Sequence, residues 1–546
     1  MEQGPAISVI IPTCNRPELL RVALGSLAWQ SFRDFEAVVV NDGDADIEQV
    51  VAEFSGKLTI SSVKHTSPRM GLSASRNTGI SLSRGKYLVY LDDDDFFYKE
   101  HLEFLHKAVT ASLYRVVYTD GVLAMQERID GVYDTVARCI PLSQDFDLAV
   151  LAYKNITPVL TLIHEKACLQ RSLRFAPYLR GHEDWDMWQR MGRHYPFRHI
   201  PVLTAEYIRR LGTECLSTAK RTMAESWLFV RRQGLLYSTM PTVFALEEQA
   251  AQAALIGSSS GPCQVSVILP LGQAAAFLAS SSAVAAFDAL CASIGDAQLI
   301  LAGAGDDMPA LCQRAAARLR RPLICLQNRC DVGRVLSANQ AAALAKGEWL
   351  IFLEPGVEPL AGWLEALLAA AQEHPETGVL GGVVEGAPIG RFAGGKISDK
   401  GEALFNRLTP QAADSDILKV DCLTSLCLMV RREHFLALGG FNPTFAPGHY
   451  ADADLCLRLK ERGLSSMAVP RARLLWNRKG LPLRQTPAGL LSRRAFWDSW
   501  STELFSLSRF TTGAEWSMRP EDSVGLWPSE GKMPTTFDLP LPTHLQ

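Results

Sequence analysis

The chain has 546 residues, a length that accommodates two or three domains of ordinary size. With 47% hydrophobic and 21% charged residues, its composition is that of a folded globular protein and excludes a disordered or fibrous class. A formal net charge of -3 provides no positive field that could hold phosphate groups, so nucleic acid is not a predicted partner.

Cysteine usage and the apolar segments predict a cytoplasmic protein. The 12 cysteines are scattered singly without a C-x-x-C pair, so we expect reduced thiols. The opening MEQGPAISVIIPT has neither the basic region nor the apolar stretch of a secretory signal. No window approaches the roughly 20 apolar residues that cross a bilayer. Any membrane contact is therefore expected to be peripheral, at the inner face of the membrane.

The first half alternates short β-branched runs with amphipathic helical stretches. Strands are predicted at ISVIIPT, FEAVVVND and KYLVYL, and helices at PELLRVALGSLAWQ, DIEQVVAEF and GLSASRNTGISLS. The strands are continuous apolar runs, as expected when helices cover both faces of a sheet. This rhythm predicts an α/β fold with a mainly parallel sheet.

The opening motif recurs near the middle of the chain, which predicts two tandem domains. QVSVILP at 264–270 is similar to AISVIIP at 6–12, and the Ser-, Gly- and Pro-rich cluster LIGSSSGPC lies before the second copy. The predicted divisions are a first domain with closing helices at 1–255, a linker at 256–264, a second domain at 265–480 and a partly irregular C-terminal extension at 481–546.

Polar residues follow three predicted strands, at the edge where open α/β sheets bind ligands. They are Pro12, Thr13 and Arg16 after the first strand, Asp42 after the second, and Asp92, Asp93, Asp94 and Asp95 after the fourth. Because neighbouring parallel strands end at the same edge, we expect these side chains to converge.

The four adjacent aspartates would repel each other strongly. Like charges about 4 Å apart cost about 4 kcal/mol at an effective dielectric constant of 20. A Mg²⁺ or Mn²⁺ ion bound by oxygen ligands would remove this repulsion and could also hold a diphosphate. An acidic loop that solvates a strand end is the alternative, and the position directly after a strand favours the metal site.

Two further segments carry candidate functional residues. Glu183 and Asp184, in GHEDWDMW, open a predicted helix, where an acid serves either as a cap or as a catalytic base. Arg76 and Asn77 lie on a predicted helix whose start could face a phosphate group, and a surface arginine is the alternative. No P-loop, dinucleotide-binding, nucleophile-elbow or metalloprotease motif accompanies them.

In this order and spacing, the segments ISVIIPTCNRPELL, VVVNDGDAD, GLSASRNTGISLSRGKYLVYLDDDD and GHEDWDMWQRM resemble the family 2 glycosyltransferases of the GT-A fold, over about residues 7–210. The resemblance implies a nucleotide-diphosphate sugar donor and a Mn²⁺ or Mg²⁺ cofactor. The implied metal ligands are Asp94 and Asp92, and the implied catalytic residues are Asp184 with Glu183. The implied donor-binding residues are Pro12, Thr13, Arg16, Asp42, Arg76, Asn77, Asp92 and Asp93.

The implied chemistry is a single displacement. Asp184 would act as the general base on an acceptor hydroxyl while the metal stabilises the nucleoside diphosphate leaving group. One displacement at the anomeric carbon inverts its configuration, and the resemblance implies inversion as well.

The second half also resembles the family, with departures. Glu354, Pro355 and Gly356 stand where the metal-binding acids should be, and the acids after the second strand are displaced to Asp306 and Asp307. A single Glu followed by Pro and Gly is a poor divalent site. Asp452 and Asp454 still match the later acidic motif and remain second-domain candidates. We therefore expect a degenerate domain that binds acceptor, positions the first domain or mediates assembly.

The sequence thus predicts a metal-dependent inverting glycosyltransferase that acts on a glycan, lipid-linked glycan or glycoprotein in bacterial surface polysaccharide, lipopolysaccharide or glycoprotein biosynthesis. Two alternatives remain open. One is a two-site polymerase that adds two sugars alternately, and the other is a non-catalytic carbohydrate-binding scaffold.

Overall fold

A computed structural model describes the chain in segments, which are 4–67, 69–129, 132–169, 173–179, 181–210, 220–238, 241–256, 262–321, 323–386, 390–397, 403–407, 417–446, 450–476 and the single or paired positions 492, 495–496 and 499–500. Linker residues 257–261 lie outside these described residues, and so does most of the predicted C-terminal extension. Within the described segments, no helix combines the length and the hydropathy that crossing a membrane requires.

The first half folds around one sheet. Its strands are β1 (Ile7–Thr13), β2 (Phe35–Asn41), β3 (Ile60–Lys64), β4 (Tyr87–Tyr90), β5 (Phe96–Phe97), β6 (Val116–Ile129), β7 (Val132–Leu142), β8 (Leu162–Glu165) and β9 (Phe197–Arg210). Its helices are α1 (Pro17–Ala28), α2 (Glu48–Phe54), α3 (Leu72–Leu82), α4 (His101–Thr110), α5 (Leu148–Leu151), α6 (Glu183–Gly192), α7 (Lys220–Ser238) and α8 (Val243–Ala251).

The strand order is β3-β2-β1-β4-β8-β6-β9-β5, with β7 paired to β6. Strands β3, β2, β1 and β4 are parallel, whereas β8 is antiparallel to both β4 and β6. Alternate residues of β1 face opposite cores, because Val9 and Ile11 pack in one cluster and Ile10 in the other. The continuous apolar strand pattern therefore reflects a sheet covered on both faces.

The second half forms a larger sheet with the same beginning. Its strands are β10 (Ala254–Ile256), β11 (Cys263–Gln273), β12 (Gln298–Ala304), β13 (Ile324–Asn328), β14 (Gly347–Leu353), β15 (Val357–Pro359), β16 (Thr377–Gly386), β17 (Gly390–Ile397), β18 (Ala403–Arg407), β19 (Leu418–Val420), β20 (Cys427–Arg431) and β21 (Ser465–Trp476). Its helices are α9 (Ala274–Leu278), α10 (Ser281–Ser293), α11 (Met308–Ala316), α12 (Gly333–Leu344), α13 (Trp363–Glu373), α14 (Arg432–Ala437) and α15 (Ala451–Lys460).

The order β13-β12-β11-β14-β20 of the second sheet repeats the order β3-β2-β1-β4-β8 of the first. Both predictions, an α/β class and two tandem units, are confirmed. The sheets are mixed, since in each one the parallel strands of the repeat are continued by antiparallel strands.

The last part of the segment between the sheets, α8 and β10, packs with the second half, whereas α7 packs with the first half. Leu246 of α8 lies in a core cluster with Ile268 of β11, and β10 pairs antiparallel with β13. The division at 255 and 256 stays a prediction, and this packing associates α8 and β10 with the second sheet. Further along the chain, Phe496 and Trp500 are also buried in that core.

The cysteine prediction is wrong for one pair. Cys312 of α11 and Cys325 of β13 form a disulfide. The two residues are separated by 13 positions and lie on neighbouring elements, a proximity that spacing alone does not reveal. The other cysteines among the described residues are free thiols.

Candidate active site

The carboxyl ends of β1, β2 and β4 meet at one edge of the first sheet. Thr13 ends β1, and its hydroxyl donates a hydrogen bond of 2.7 Å to Oδ2 of Asp93, which follows β4. Pro12, one residue earlier, lies in register with Val40 of β2. The predicted convergence of the strand ends is therefore present.

Asp42 is fixed by three donors. The backbone N–H groups of Met70 and Gly71 donate to its two carboxylate oxygens at 2.8 and 2.7 Å, and Nδ1 of His65 lies 2.7 Å from Oδ1. The other ring nitrogen of His65 contacts the Thr78 hydroxyl at 3.0 Å. Asp42 thus ties the end of β2 to the start of α3. His65 was not predicted, although it directly follows β3 and the same strand-end reasoning identifies it.

Arg76 lies buried between two acids. Its Nη2 donates to both oxygens of Asp92 at 2.7 and 2.9 Å, and its Nη1 donates to Glu183 at 2.6 Å. The guanidinium also lies over the ring of Phe175, 5.1 Å from the centroid. Since Arg76 is only 1% exposed, the surface-arginine alternative is wrong, and this residue joins the acidic run to the start of α6.

Asn77, one residue further on α3, has a different position. Its amide exchanges two hydrogen bonds with the backbone of Phe175, at 2.8 and 3.1 Å. These bonds hold the segment before α6 against α3, and they use both ends of the amide group.

The other three aspartates of the run have separate partners. Arg16 binds Asp93 at 2.5 Å and Asp94 at 2.9 Å, and Arg210 of β9 lies 3.6 Å from Asp94. Asp95 accepts a hydrogen bond of 2.8 Å from the backbone N–H of Ile208. Burial raises the pKa of Asp93 to about 7 even though Arg16 opposes this shift. The pKa of Asp95 is raised well above its usual range, again by burial.

Asp184 opens α6 beside Glu183. Asn155 donates a hydrogen bond of 2.9 Å to its Oδ2, and the Trp185 backbone N–H donates to Oδ1 at 2.7 Å. Burial raises the pKa of Asp184 to about 7, and the negative charge of Glu183 adds to the shift. A carboxylate with a pKa near neutrality, partly open to solvent, has the properties of a general base. His182, the residue directly before α6, adopts a left-handed conformation with φ of 60°.

Arg76 joins the acidic run to the start of α6 in one cleft, and Tyr207 of β9 lies near both groups. Burial raises the pKa of this phenol, and the charges of Asp95, Asp184 and Asp92 contribute. Tyr207, Asn155 and Arg210 were not predicted, because each reaches the cleft from an element distant in sequence and has no local motif.

The cleft contains more negative than positive groups. Asp92, Asp93, Asp94, Asp95, Glu183 and Asp184 face Arg16, Arg76 and Arg210, six carboxylates against three guanidiniums. Among the described residues, no group of three or more His, Cys, Asp or Glu side chains is arranged to hold a metal. Mg²⁺ is usually bound by one or two carboxylates together with water and substrate phosphates, so the excess of carboxylates over guanidiniums and the partly accessible Asp94 suit such an ion without a complete protein cage.

The corresponding cleft of the second half has different side chains. Glu354 follows β14 and pairs with Arg334, which also contacts Ser425. Ser425 donates to Oδ2 of Asp452 through its backbone N–H at 3.1 Å and its hydroxyl at 3.2 Å. Arg334, Glu354 and Ser425 border a small pocket that also includes Phe352.

Asp454, the other candidate of the second half, has a structural position. It is completely buried, pairs with Arg458 at 2.7 Å and accepts a hydrogen bond of 3.0 Å from Nε1 of Trp500. Asp186 and Arg190 form the same buried pair, at 2.8 Å, in the first half.

Comparison with known proteins finds one family model that matches a segment of each half. The model of glycosyl transferase family 2 matches residues 8–132 and 298–438. An uncharacterized protein of Sinorhizobium fredii, y4gI, is 24% identical over 506 residues, which cover 87% of this chain and 53% of that protein. Glycosyltransferase GlyA of Streptococcus pneumoniae is 33% identical over 103 residues, 19% of this chain and 15% of GlyA. The chain therefore spans about half of the first relative and a small part of the second.

Two further similarities each cover less than half of this chain. The uncharacterized glycosyltransferase YwdF of Bacillus subtilis is 25% identical over 206 residues, 37% of this chain and 73% of YwdF. Among solved structures, S. aureus TarS 1–349 in complex with UDP-GlcNAc is 22% identical and covers 44% of this chain and 69% of that chain, with a TM-score of 0.36.

Proposed function

We propose that this chain, whose residues 8–132 and 298–438 belong to glycosyl transferase family 2, moves a sugar from a nucleotide-diphosphate sugar to a hydroxyl group of a glycan, lipid-linked glycan or glycoprotein. The active site is the cleft of the first half. The observation that carries the proposal is Asp184, a partly open carboxylate with a pKa near 7 in the same cleft as the four aspartates.

The reaction is a single displacement. The acceptor hydroxyl transfers its proton to a carboxylate oxygen of Asp184 as the acceptor oxygen forms a bond to the anomeric carbon. The bond from that carbon to the diphosphate oxygen breaks, and its electron pair leaves with the nucleoside diphosphate. Attack and departure occur on opposite faces, so the anomeric configuration inverts.

The chain's own residues prepare this displacement. Asn155 orients Asp184, and Arg76 holds Glu183 next to Asp92 and so keeps the base beside the donor cleft. Asp42 and Thr13, at the ends of β2 and β1, line the part of the cleft proposed for the base and ribose of the donor.

A divalent cation, Mn²⁺ or Mg²⁺, would be held by Asp94 with Asp92, both at the end of β4. When bound, it neutralises charge on the diphosphate and so stabilises the leaving group. Hard carboxylate oxygens and the excess of carboxylates over guanidiniums in the cleft support this cofactor.

The proposal is tested with the full chain and a panel of UDP-, GDP- and dTDP-sugars. Release of nucleoside diphosphate and manganese-dependent thermal stabilisation should occur with at least one donor. Both should be lost in Asp94→Ala and retained in Glu18→Ala, an exposed acid outside the cleft. Flat responses across the panel would refute the proposal. Donor hydrolysis by Asp94→Ala at the wild-type rate would instead refute the assignment of the active site to this cleft.

A two-site polymerase is the second candidate, because Asp452 remains oriented in the second half by two hydrogen bonds from Ser425. It predicts that Asp452→Asn stops chain growth after one sugar while the first transfer continues. Equal product lengths from wild type and Asp452→Asn would exclude it. Gly356 and Pro355 at the end of β14 favour the single-site function.

A further inference from the structure

Arg16 is positioned as a cation on the acidic run. It follows Asn15, which has φ of 56°, and precedes Pro17, the first residue of α1. From this surface position its two terminal nitrogens reach Asp93 at 2.5 Å and Asp94 at 2.9 Å. One guanidinium therefore serves two of the four aspartates at once.

Asp93 and Asp94 require a positive partner when no ligand is bound. The Asp93 side chain is fully buried, and the carboxylates of Asp92 and Asp94 adjoin it in the chain. A buried carboxylate without a cation is strongly unfavourable, so Arg16 supplies the charge that keeps the end of β4 compact. Arg16 uses Oδ2 of Asp94, which is one of the two oxygens through which this carboxylate could bind a metal ion.

The three arginines of the cleft differ in how firmly they are held. The side chain of Arg76 is 1% exposed and that of Arg210 is 8% exposed, whereas that of Arg16 is 43% exposed. Arg76 is also fixed by Glu183 and by the Phe175 ring. Arg16 can therefore leave its acids by rotating into solvent, without an empty space forming in the core.

We propose that Arg16 is an exchangeable counterion of the donor site. It neutralises Asp93 and Asp94 in the donor-free enzyme, gives up Asp94 to the divalent cation that arrives with the nucleoside diphosphate, and then binds the diphosphate with its released guanidinium. The exchange gives Asp94 a positive partner in both states, and it ensures that the metal binds tightly only together with the nucleotide. This inference rests on the proposed function.

The test measures Mn²⁺ binding to the full chain without nucleotide, by the electron paramagnetic resonance signal of free Mn²⁺. Removing the competing cation in Arg16→Gln should tighten Mn²⁺ binding by about tenfold, a coupling within the usual range for linked sites. The same variant should bind UDP, GDP or dTDP in the presence of Mn²⁺ about tenfold more weakly, because the diphosphate loses a partner. Arg21→Gln is the matched control, since Arg21 of α1 forms an exposed ion pair with Glu53 of α2, away from the acidic run.

Unchanged or weaker nucleotide-free Mn²⁺ binding in Arg16→Gln would overturn the inference. If that variant does not fold, Arg16→Lys replaces it, and a lysine that keeps the charge but loses the two-pronged contact should tighten Mn²⁺ binding by a smaller factor. Failure of wild type to bind Mn²⁺ with any nucleotide would overturn the proposed function as well. Normal ternary binding with no effect of Arg16 would overturn this inference alone.

Discussion

The two halves share a scaffold and differ in the charges placed on it. Asn77 and Asn339 make the same pair of hydrogen bonds to the backbone of a phenylalanine, Phe175 or Phe441. Helices α6 and α15 both begin after a non-glycine residue in the left-handed conformation, and both contain a buried Asp–Arg pair. These features are needed to fold the repeat, so they are present in both copies.

The two halves differ in the side chains that line the cleft. Because Asn339 corresponds to Asn77, Ala338 occupies the place of Arg76, and the arginine of the second half, Arg334, lies one helical turn earlier. By the strand register, Ala304 of β12 corresponds to Asp42. The difference teaches that the same scaffold can carry different charged sets, and the set of the first half is the one proposed to bind the donor.

The largest effect is expected at the base. Asp184→Asn should lower kcat by about a thousandfold, within the range for loss of general base catalysis, and leave donor binding nearly unchanged. Asp452→Asn, its counterpart in the second half, should change kcat by less than about twofold, because the single-site proposal gives it no proton to accept. Steady-state kinetics and donor titration separate the two outcomes. A similar loss of activity in both variants would break the comparison.

The buried pairs should respond alike in both halves. Asp186→Asn and Asp454→Asn each leave a buried arginine without its carboxylate, and each should cost about 3 kcal/mol of stability, as usual for a broken buried ion pair. Urea unfolding followed by tryptophan fluorescence measures the cost. A loss of activity in Asp186→Asn without destabilisation would contradict the structural role.

The pH dependence of kcat should report Asp184. Its carboxylate must be ionised to accept a proton, and its pKa is raised to about 7, so activity should fall as pH decreases through that value. Glu183→Gln removes a negative neighbour that raises the pKa of Asp184. The fall of kcat at acidic pH should therefore move to lower pH in this variant. Asp452→Asn serves as the control, because the pH dependence of kcat should be the same in this variant as in wild type. A limb that moves to higher pH in Glu183→Gln would exclude Asp184 as the titrating group.

The smallest effects are expected at the backbone clamps. Asn77→Ala and Asn339→Ala each remove two hydrogen bonds to a phenylalanine backbone, and each should cost about 1–3 kcal/mol, the usual cost of leaving buried polar groups unsatisfied. Thermal unfolding of the two variants provides the comparison. A change in donor affinity for Asn77→Ala without a loss of stability would indicate a direct role in donor binding.

Much of the fold could be predicted because its signals are local. Pro17 begins α1 as the sequence indicates, and the acidic run follows β4 at the predicted edge. Asn155 shows the limit of this reasoning, because it lies 29 residues from Asp184 and carries no motif. The disulfide between Cys312 and Cys325 could not be predicted either, since it depends on the packing of α11 beside β13.

The sequence by itself determined the repeat, the α/β class and the polar strand ends, because residue periodicity and strand boundaries are properties of short segments. The tertiary structure alone decided the partners of each charge. Arg76 meets Glu183 across 107 positions, and Asp454 is distinguished from Asp452 by burial against Arg458 and Trp500. Such contacts form only when distant elements pack together, so the ionic pairing of the cleft, including the position of Arg16 on Asp93 and Asp94, is a property of the folded chain.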